Sequence, residues 1–499
     1  MSEEVLLICG DQLFSRQRLG SLADLPVLMV ESHDLCRHVP YHQHKLVFHL
    51  AAMRHYAAER REQGTTVVYR SLQQSDPQAS HWQQVIDQMQ QHGWRCLRCF
   101  PLADRFAREA MHQACQEASI AVREEADSPL FATPLASLDA WVSDARRLHL
   151  ADFWQWQRRR TGLLMDGHGE PVGGRWSFDR DNRQALPPTL SVPTYQPPAP
   201  GSVEQAVIKE VQQSFPDHLG HGQAFAWATT RAQAQHMWRQ FLTQRLPHFG
   251  AYQDAMSVEH DMLFHSCVSP YINVGLLHPS DLAGDVVEAY EQGHAPLAAV
   301  EGWCRQVLGW REFVYGIDRH YGTHQDHANH YHAQRRLAPC WWRGGSTIPP
   351  LDHLIDKIHR RAYGHHIERL MVAGNLMTLC QVHPREAWKW FMQCFIDSAD
   401  WVMGPNVMGM ALHADGGLMT TKPYVCGANY LKKMGRWPKG PWQDGITGLY
   451  WAFIDRHAKE LLANHRMARA VRTWQNMGQQ ARHQRLDQAA AWQDRLTLA

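Results

Sequence analysis

Along the first 130 residues, short apolar runs alternate with longer stretches whose apolar positions recur at i, i+3 and i+4. Residues 5–9, 27–31, 66–70, 94–100 and 120–123 have the length and the β-branched or aromatic content of strands. Between them, 42–61, 80–91 and 102–117 have the length and period of helices. Strands alternating with helices predict a parallel sheet covered on both faces. Such sheets bind ligands beyond the carboxyl ends of their strands, which makes Cys9-Gly10-Asp11-Gln12, after the first strand, a candidate site. The loop lacks GxGxxG spacing, so an ordinary dinucleotide fold is not supported.

The pattern breaks after residue 130. A Gly-rich stretch, Thr161-Gly162-Leu163-Leu164-Met165-Asp166-Gly167, leads to Gly173-Gly174-Arg175-Trp176-Ser177-Phe178-Asp179, and six prolines then fall between Pro187 and Pro200. Proline at that density favours extended chain, so 131–202 reads as a connector. After Val203 the pattern is helical almost throughout, with no internal repeat. The expected fold is an α/β N-terminal parallel-sheet domain (1–130), a long connector (131–202) and a large all-α domain (203–499).

Composition narrows the function classes. With 499 residues, 50 basic and 49 acidic side chains and a formal net charge of +1, the chain is long enough for two or three cores and is not a basic nucleic-acid coat. Any contact with DNA must come from a local patch. The Met-Ser-Glu-Glu start has no basic leader, no apolar run reaches a membrane span, and the eleven cysteines lack disulfide-scaffold spacing. These features predict a cytoplasmic protein without membrane association. The 20 tryptophans and 33 histidines stand out, because indole is easily oxidised and stacks well, although a large aromatic core would use it too.

Cys96-Leu97-Arg98-Cys99 has metal-ligand spacing, but no second pair follows, and strand residues three apart face opposite ways. HExxH and GxSxG are absent, and the histidine-dense stretch His324 to His332 reads as a solvated loop. No metal site is expected. Four constellations in the helical region carry more. His265-Ser266-Cys267-Val268-Ser269-Pro270-Tyr271 places two hydroxyls just before a helical run, suited to a phosphate or to a plain helix cap. Gln306 and Trp310, four apart on one face, could stack on and hydrogen-bond a nucleobase, or simply pack. His365 and His366 are adjacent, and helical neighbours diverge by about 100°, so at least one imidazole should leave the other's face; an imidazole lining a pocket is a ready proton donor near neutral pH. Finally, Trp390-Phe391, Asp397 to Asn406, Ala414-Asp415-Gly416-Gly417 and Lys422-Pro423-Tyr424 mix indoles, a carboxylate and tight glycine turns.

In that order, these motifs resemble the photolyase/cryptochrome superfamily. Ser266-Cys267-Val268-Ser269-Pro270-Tyr271-Ile272 is similar to its S-x-L-S-P-Y-L motif, and Trp310-Arg311-Glu312-Phe313 is its WREF motif unchanged. More narrowly, Gly10-Asp11-Gln12-Leu13 and residues 161–165, 172–176, 363–375, 405–410 and 414–424 resemble the bacterial photolyase-related branch, which contains prokaryotic (6-4) photolyases and iron–sulfur cryptochromes. The likeness runs over essentially the whole chain.

The resemblance implies an α/β antenna domain joined to a helical domain that holds FAD. Ser266 and Ser269 would take the flavin phosphates, Arg369 and Asp397 would pair beside the isoalloxazine ring, and Met403 and Asn406 would lie close to it. Gln306 and Trp310 would line the lesion side of that pocket, and His365 and His366 would transfer protons on the lesion. Trp390 and Trp342 would carry electrons toward the flavin. Asp11, Gln12 and Glu31 would hold a lumazine-type antenna chromophore, while Arg183, Asp179 and Tyr424 would lie near the damaged strand. The implied reaction is light-driven: an electron passes from excited reduced FAD to a flipped-out pyrimidine–pyrimidone (6-4) lesion in UV-damaged DNA and then returns. A monomer is expected.

Three departures qualify the resemblance. Relatives carry four cluster-binding cysteines, one after a W-x-G-x-T segment and three between the K-P-Y motif and an L-Y-W run. Neither Trp341-Trp342-Arg343-Gly344-Gly345-Ser346-Thr347-Ile348-Pro349-Pro350 nor residues 431–444 contains one, so no iron–sulfur cluster is expected. Met403 stands where the branch usually has an acidic residue, and a thioether cannot relay a proton. Phe391 replaces the usual tyrosine after Trp390 and is much harder to oxidise. The leading expectation is a (6-4) photolyase-type repair enzyme. A cryptochrome-like blue-light photoreceptor without repair is the alternative, and a flavin-free single-strand-binding protein on the same scaffold is a third.

Overall fold

The structure is a computed structural model that describes residues 3–499. Five short strands, β1 (Glu4–Leu7), β2 (Val27–Val30), β3 (Val67–Arg70), β4 (Cys96–Cys99) and β5 (Ala121–Glu124), form one parallel sheet in the order β3-β2-β1-β4-β5. Helices Gln43–Glu62, His81–His92 and Arg105–Glu117 make the crossovers. Alternation along the strands sorts the side chains between two cores. Leu6, Val27 and Met29 join the main core with the Gln43–Glu62 helix, whereas Val5, Leu7, Leu28 and Val30 face Trp82, Val85, Ile86 and Met89 of the His81–His92 helix. That helix starts where the Ser80 hydroxyl accepts from the Gln83 N–H, and it stops at Gly93, whose φ of 72° suits glycine. The strand order reverses at β1, which opens a crevice beyond its carboxyl end.

The connector is less irregular than its sequence suggests. It contains the helices Leu135–Asp144 and Leu150–Thr161, because its glycines and all its prolines but Pro134, which stands at the N-cap of the first helix, fall after residue 161. The second helix is tied to the helical region: Trp154 Nε1 donates to Glu301 at 2.9 Å and Gln157 Nε2 to the Leu308 carbonyl at 3.0 Å. The proline-rich stretch 187–200 forms neither helix nor strand, and Arg245 donates to its Pro193 and Thr194 carbonyls.

From Ser202 onward the chain is helical, apart from Arg336–Leu337, which pairs antiparallel with Thr497–Leu498 near the end. Helices Trp442–Arg456 and Gln479–Leu496 cross closely at Gly448, where an added Cβ would come within 2.8 Å of the Arg485 carbonyl. Side chains of Arg105, Asp104 and Lys45 are among those that fasten the sheet region to the helical region. Arg105 reaches Asp318 at 3.3 Å and Asp326 at 2.9 Å, Asp104 accepts from the Trp401 N–H at 3.0 Å, and Lys45 Nζ donates to the Ser398 carbonyl at 2.6 Å. Among the described residues, no helix is long and apolar enough to cross a membrane.

Candidate functional site

The helical region encloses a cavity of about 260 Å³. Three helical segments around it, Arg305–Trp310, Arg369–Gly374 and Gly404–Ala411, widen into i→i+5 turns, a distortion that recurs at functional sites. These turns carry Gln306, Trp310, Arg369 and Asn406 to the cavity wall. Ser266, Ser269, His365, His366, Asp397 and Met403 line it as well, so the residues read from separate motifs share one space.

Its polar core is a preformed network. Asp397 accepts from Arg369 Nη2 at 2.8 Å and from the Ser269 hydroxyl at 2.6 Å, and its backbone carbonyl accepts from Asn273 Nδ2 at 3.1 Å. Arg369 Nε donates to the Gly364 carbonyl at 2.7 Å, and the guanidinium lies 3.9 Å from the centroid of the Phe395 ring. Trp310 Nε1 donates to Asn406 Oδ1 at 2.9 Å, while Asn406 Nδ2 donates to the Val402 carbonyl at 2.8 Å. The indole is therefore fixed in orientation. The expected two hydroxyls before a helix become something different here. Cys267 is in the left-handed region, the helix Ser269–Asn273 has only five residues, and Ser269 is its first residue rather than its cap. The Ser269 hydroxyl is committed to Asp397; the Ser266 hydroxyl makes no hydrogen bond to a described residue.

Arg311, the second residue of the WREF motif, is a functional candidate that spacing alone did not single out. It is buried, lines the cavity, and packs against both the Phe131 and the Trp401 rings, which also touch each other. Its Nε donates to Asn273 and its Nη1 to the Leu130 carbonyl and to Glu312 at 3.4 Å, while Nη2 has no hydrogen-bond partner among the described residues. Burial lowers its pKa to about 10, so it stays cationic at neutral pH. Arg311, with its unpartnered donor, and Ser266, with its hydroxyl unbonded to a described residue, line the same cavity, a donor pair that suits an anionic group such as a phosphate. This donor set and the Arg369–Asp397 pair fit a flavin dinucleotide.

The histidines depart from the sequence expectation in two ways. His365 is not helical: it has extended backbone angles and caps the turn His366–Glu368, its Nδ1 accepting from the Ile367 N–H. Both imidazoles can therefore line the cavity, without the divergence of neighbours on a regular helix. A third, His265, stacks on His365 with ring centroids 3.8 Å apart and planes 13° apart, and is braced by the Tyr363 hydroxyl at 2.9 Å from its Nδ1. Burial, with Arg369 nearby, lowers His366 to about 4. Burial lowers His265 to about 3 and, with the neighbouring His265 and His366 rings, drives His365 well below its usual value. At neutral pH these rings are neutral.

Trp390 lies behind the cavity wall. Phe391 lines the cavity, and its ring is 5.1 Å from that of Trp390. Trp341 also packs beside Trp390, with ring centroids 5.6 Å apart, and Trp342 donates its Nε1 to Gln393. Helix Cys340–Arg343 is one turn long, so adjacent indoles point apart. Asp179 and Arg183 form an exposed pair outside the cavity, with Arg305 Nη1 3.4 Å from Asp179. Tyr424 also lies outside the wall. Between them and the cavity sits Asp254, which no motif marked; it lines the wall, and burial with the nearby Asp179 raises it to about 6.

A second cavity of about 200 Å³ opens beyond the carboxyl end of β1, where the sheet pattern expected a site. Asp11 and Glu31 line it with Lys45, His49 and Asp104, and it shares Asn273, Asp397 and Trp401 with the first. Burial raises Asp11 to about 6 and lowers Lys45 to about 8. Glu31 is held by Arg54 at 2.7 Å and by the Leu72 N–H at 2.6 Å. Gln12 does not line this cavity. Its amide turns to the Phe100 and Pro101 carbonyls, both at 3.2 Å, and braces the loop after β4. Among the described residues, no group of three or more His, Cys, Asp or Glu is arranged to hold a metal, and Cys340 and Cys426 do not fit a four-thiolate cluster.

A family model described as deoxyribodipyrimidine photo-lyase-related protein matches residues 6–227. A protein named (6-4) photolyase from Agrobacterium fabrum is 34% identical over 502 residues, covering 98% of this chain and 99% of the relative. Among solved structures, a bacterial class III photolyase from Agrobacterium tumefaciens superposes with a TM-score of 0.57 at 14% identity, covering 98% of each chain. A Synechocystis cryptochrome superposes with a TM-score of 0.54 at 12% identity over 81% of each chain. With its sheet, its helical cavity and a relative matched end to end, the chain belongs to the photolyase/cryptochrome superfamily, close to the bacterial (6-4) photolyases.

Proposed function

We propose that the protein is an FAD-dependent enzyme that uses light to repair pyrimidine–pyrimidone (6-4) lesions in UV-damaged DNA. The observation that carries this reading is the meeting of His365, His366, Gln306 and Trp310 with the Arg369–Asp397 pair around one cavity. Arg311 and Ser266 would hold the phosphates of FAD, while Arg369, Asp397 and Asn406 would orient its ring. Bound FAD supplies the light-absorbing group and the electron. The chain's own residues do the rest. Trp310, its N–H already committed to Asn406, offers an indole face on which a flipped base can stack. The Gln306 amide reads the base edge. His365 and His366, neutral at pH 7 and both in the cavity wall, present imidazole N–H groups that give a proton to the lesion and take it back. Arg183, Asp179 and Tyr424 meet the damaged strand outside the cavity, and flipping costs least where the base is already damaged.

In this reading the second cavity takes a lumazine-type antenna, with Asp11 and Glu31 in its wall and Gln12 as a brace. The sheet region 1–130 is then an antenna domain, 131–202 a connector and 203–499 the catalytic domain, in a cytoplasmic monomer. The test is repair of a duplex carrying one (6-4) lesion by the reduced, FAD-loaded protein. The lesion should disappear under blue light and persist in the dark; persistence in the light with FAD bound overturns the assignment. A blue-light photoreceptor is the second reading, favoured by Met403 and Phe391, which both line the cavity and bear on flavin redox chemistry rather than on DNA. Light-dependent binding of a protein partner without repair would favour it.

A further inference from the structure

Between Asp415 and Asp444 the chain carries five basic side chains, Lys422, Lys432, Lys433, Arg436 and Lys439, and no acidic one, in a protein whose formal net charge is only +1. Four of the five fall within residues 432–439. All four are exposed, and none makes an ion pair or hydrogen bond with a described residue. Like charges gathered on the last turn of one short helix and the loop after it repel one another, so an unneutralised cluster destabilises the free protein and favours an anionic partner.

The segment that carries them is firmly held. Helix Ala428–Met434 opens it with Leu431 and Met434 buried. The Met434 carbonyl accepts from the Met256 N–H at 3.0 Å, Trp437 is buried with its ring 5.7 Å from that of His353, and Trp442 Nε1 donates to the Pro438 carbonyl at 2.9 Å. Buried residues thus alternate with the exposed cations and hold them outward on a rigid base, which limits the entropy lost on binding. The loop also borders the cavity. Met256 lies two residues from Asp254 in its wall, and Tyr430, on the leading helix, is close enough to Asp254 and Arg183 to feel their charges.

We infer that Lys432, Lys433, Arg436 and Lys439 form a clamp for the phosphate backbone of duplex DNA flanking the cavity. This rests on DNA being the protein's substrate but not on which lesion it repairs. A phosphate row is a regular polyanion to which exposed lysines bind without reading sequence, and neutralising phosphates releases counterions. The clamp would hold the duplex beside the cavity while Trp310 and the histidines engage the flipped base.

The test uses the FAD-loaded full-length protein in the dark with undamaged duplex DNA, so that repair plays no part. Replacing all four residues with alanine should weaken binding about tenfold or more at low salt. It should also flatten the dependence of log K on log salt by about 0.9 for each phosphate no longer neutralised. Lys432→Arg/Lys433→Arg/Lys439→Arg, which keeps the charge, should bind as the parent does. Because the substituted side chains are exposed, the flavin spectrum and melting temperature report whether the fold is intact. Unchanged affinity and salt slope in the alanine variant overturn the inference. So does a parent that does not bind duplex DNA, or an alanine variant that loses only binding to anionic phospholipid vesicles. Duplex binding that behaves as expected while (6-4) repair fails leaves the clamp standing and removes only the lesion assignment.

Discussion

The two cavities share a wall but are built differently. In the helical cavity the strongest charges are already paired: Arg369 with Asp397, which Ser269 also engages. Its histidines are held neutral, and the wall group poised near neutrality is Asp254, raised to about 6 at the rim toward Asp179. The sheet-edge cavity keeps groups poised close to neutrality, with Asp11 raised to about 6, Asp104 raised by the same burial and Lys45 lowered to about 8. A site that must hold one charge pattern through a reaction gains from fixed pairing; a site that only seats a chromophore has no such need. The contrast also separates the residues that serve one cavity from the few that serve both.

The largest effect is expected from breaking the shared carboxylate. Arg369→Ala leaves Asp397 without its cation, a loss of about 3 kcal/mol for a buried pair broken on one side; flavin should be lost while the sheet-edge ligand is retained. Asp397→Ala, in the common wall, should release both. Urea denaturation and the visible spectrum of each variant check this, and equal retention of both chromophores in Asp397→Ala would show that the cavities are independent.

Next, His366→Ala and His365→Ala should each lower light-driven repair at least tenfold with flavin content unchanged. The loss should be constant between pH 6 and 8, because neither ring titrates there. Repair at the parent rate in both variants would remove the proton-transfer assignment.

A smaller, pH-dependent effect belongs to the sheet edge. Folding raises Asp11 from 3.8 to about 6, so the folded chain keeps a proton that the unfolded chain gives up. Its favourable contribution is present below the unfolded value and is lost as pH rises through 6. Asp11→Asn should therefore raise the melting temperature at pH 7.5 and leave it nearly unchanged at pH 4. The opposite ranking would mean that the carboxylate is stabilised by a partner the structure does not show.

The smallest difference is between neighbours. Trp390→Phe should slow photoreduction of bound flavin, and Trp341→Phe should slow it more than Trp342→Phe, because Trp341 is the ring beside Trp390. Transient absorption after a blue flash measures all three.

Much of this was legible in the sequence, for identifiable reasons. Apolar runs and helical periods located all five strands and three of the four crossovers between them to within a few residues, because alternating burial on a parallel sheet leaves a strong local pattern. The order of motifs such as Trp310-Arg311-Glu312-Phe313 located the helical cavity. What the sequence hid depended on local geometry without a period. The widened turns at Arg305–Trp310, Arg369–Gly374 and Gly404–Ala411 have no compositional signature. Placing His365 at a cap rather than on a helix needs its backbone angles, and seeing that Trp341 packs beside Trp390 needs the direction of its indole. Gln12 belonged to a correctly located loop, but its amide turned to the carbonyls after β4. His265 stood at the head of a quoted motif, yet only its stack on His365 gives it a role.

The central claim, that the helical cavity is built for a photoactive flavin, is tested most directly by the visible absorption spectrum of the purified, FAD-supplemented protein before and after blue light. Structured flavin bands that bleach on illumination are expected. A colourless protein would contradict the claim outright. Flavin bands that ignore light would confine the failure to the electron route behind Phe391 and contradict the photoactive half.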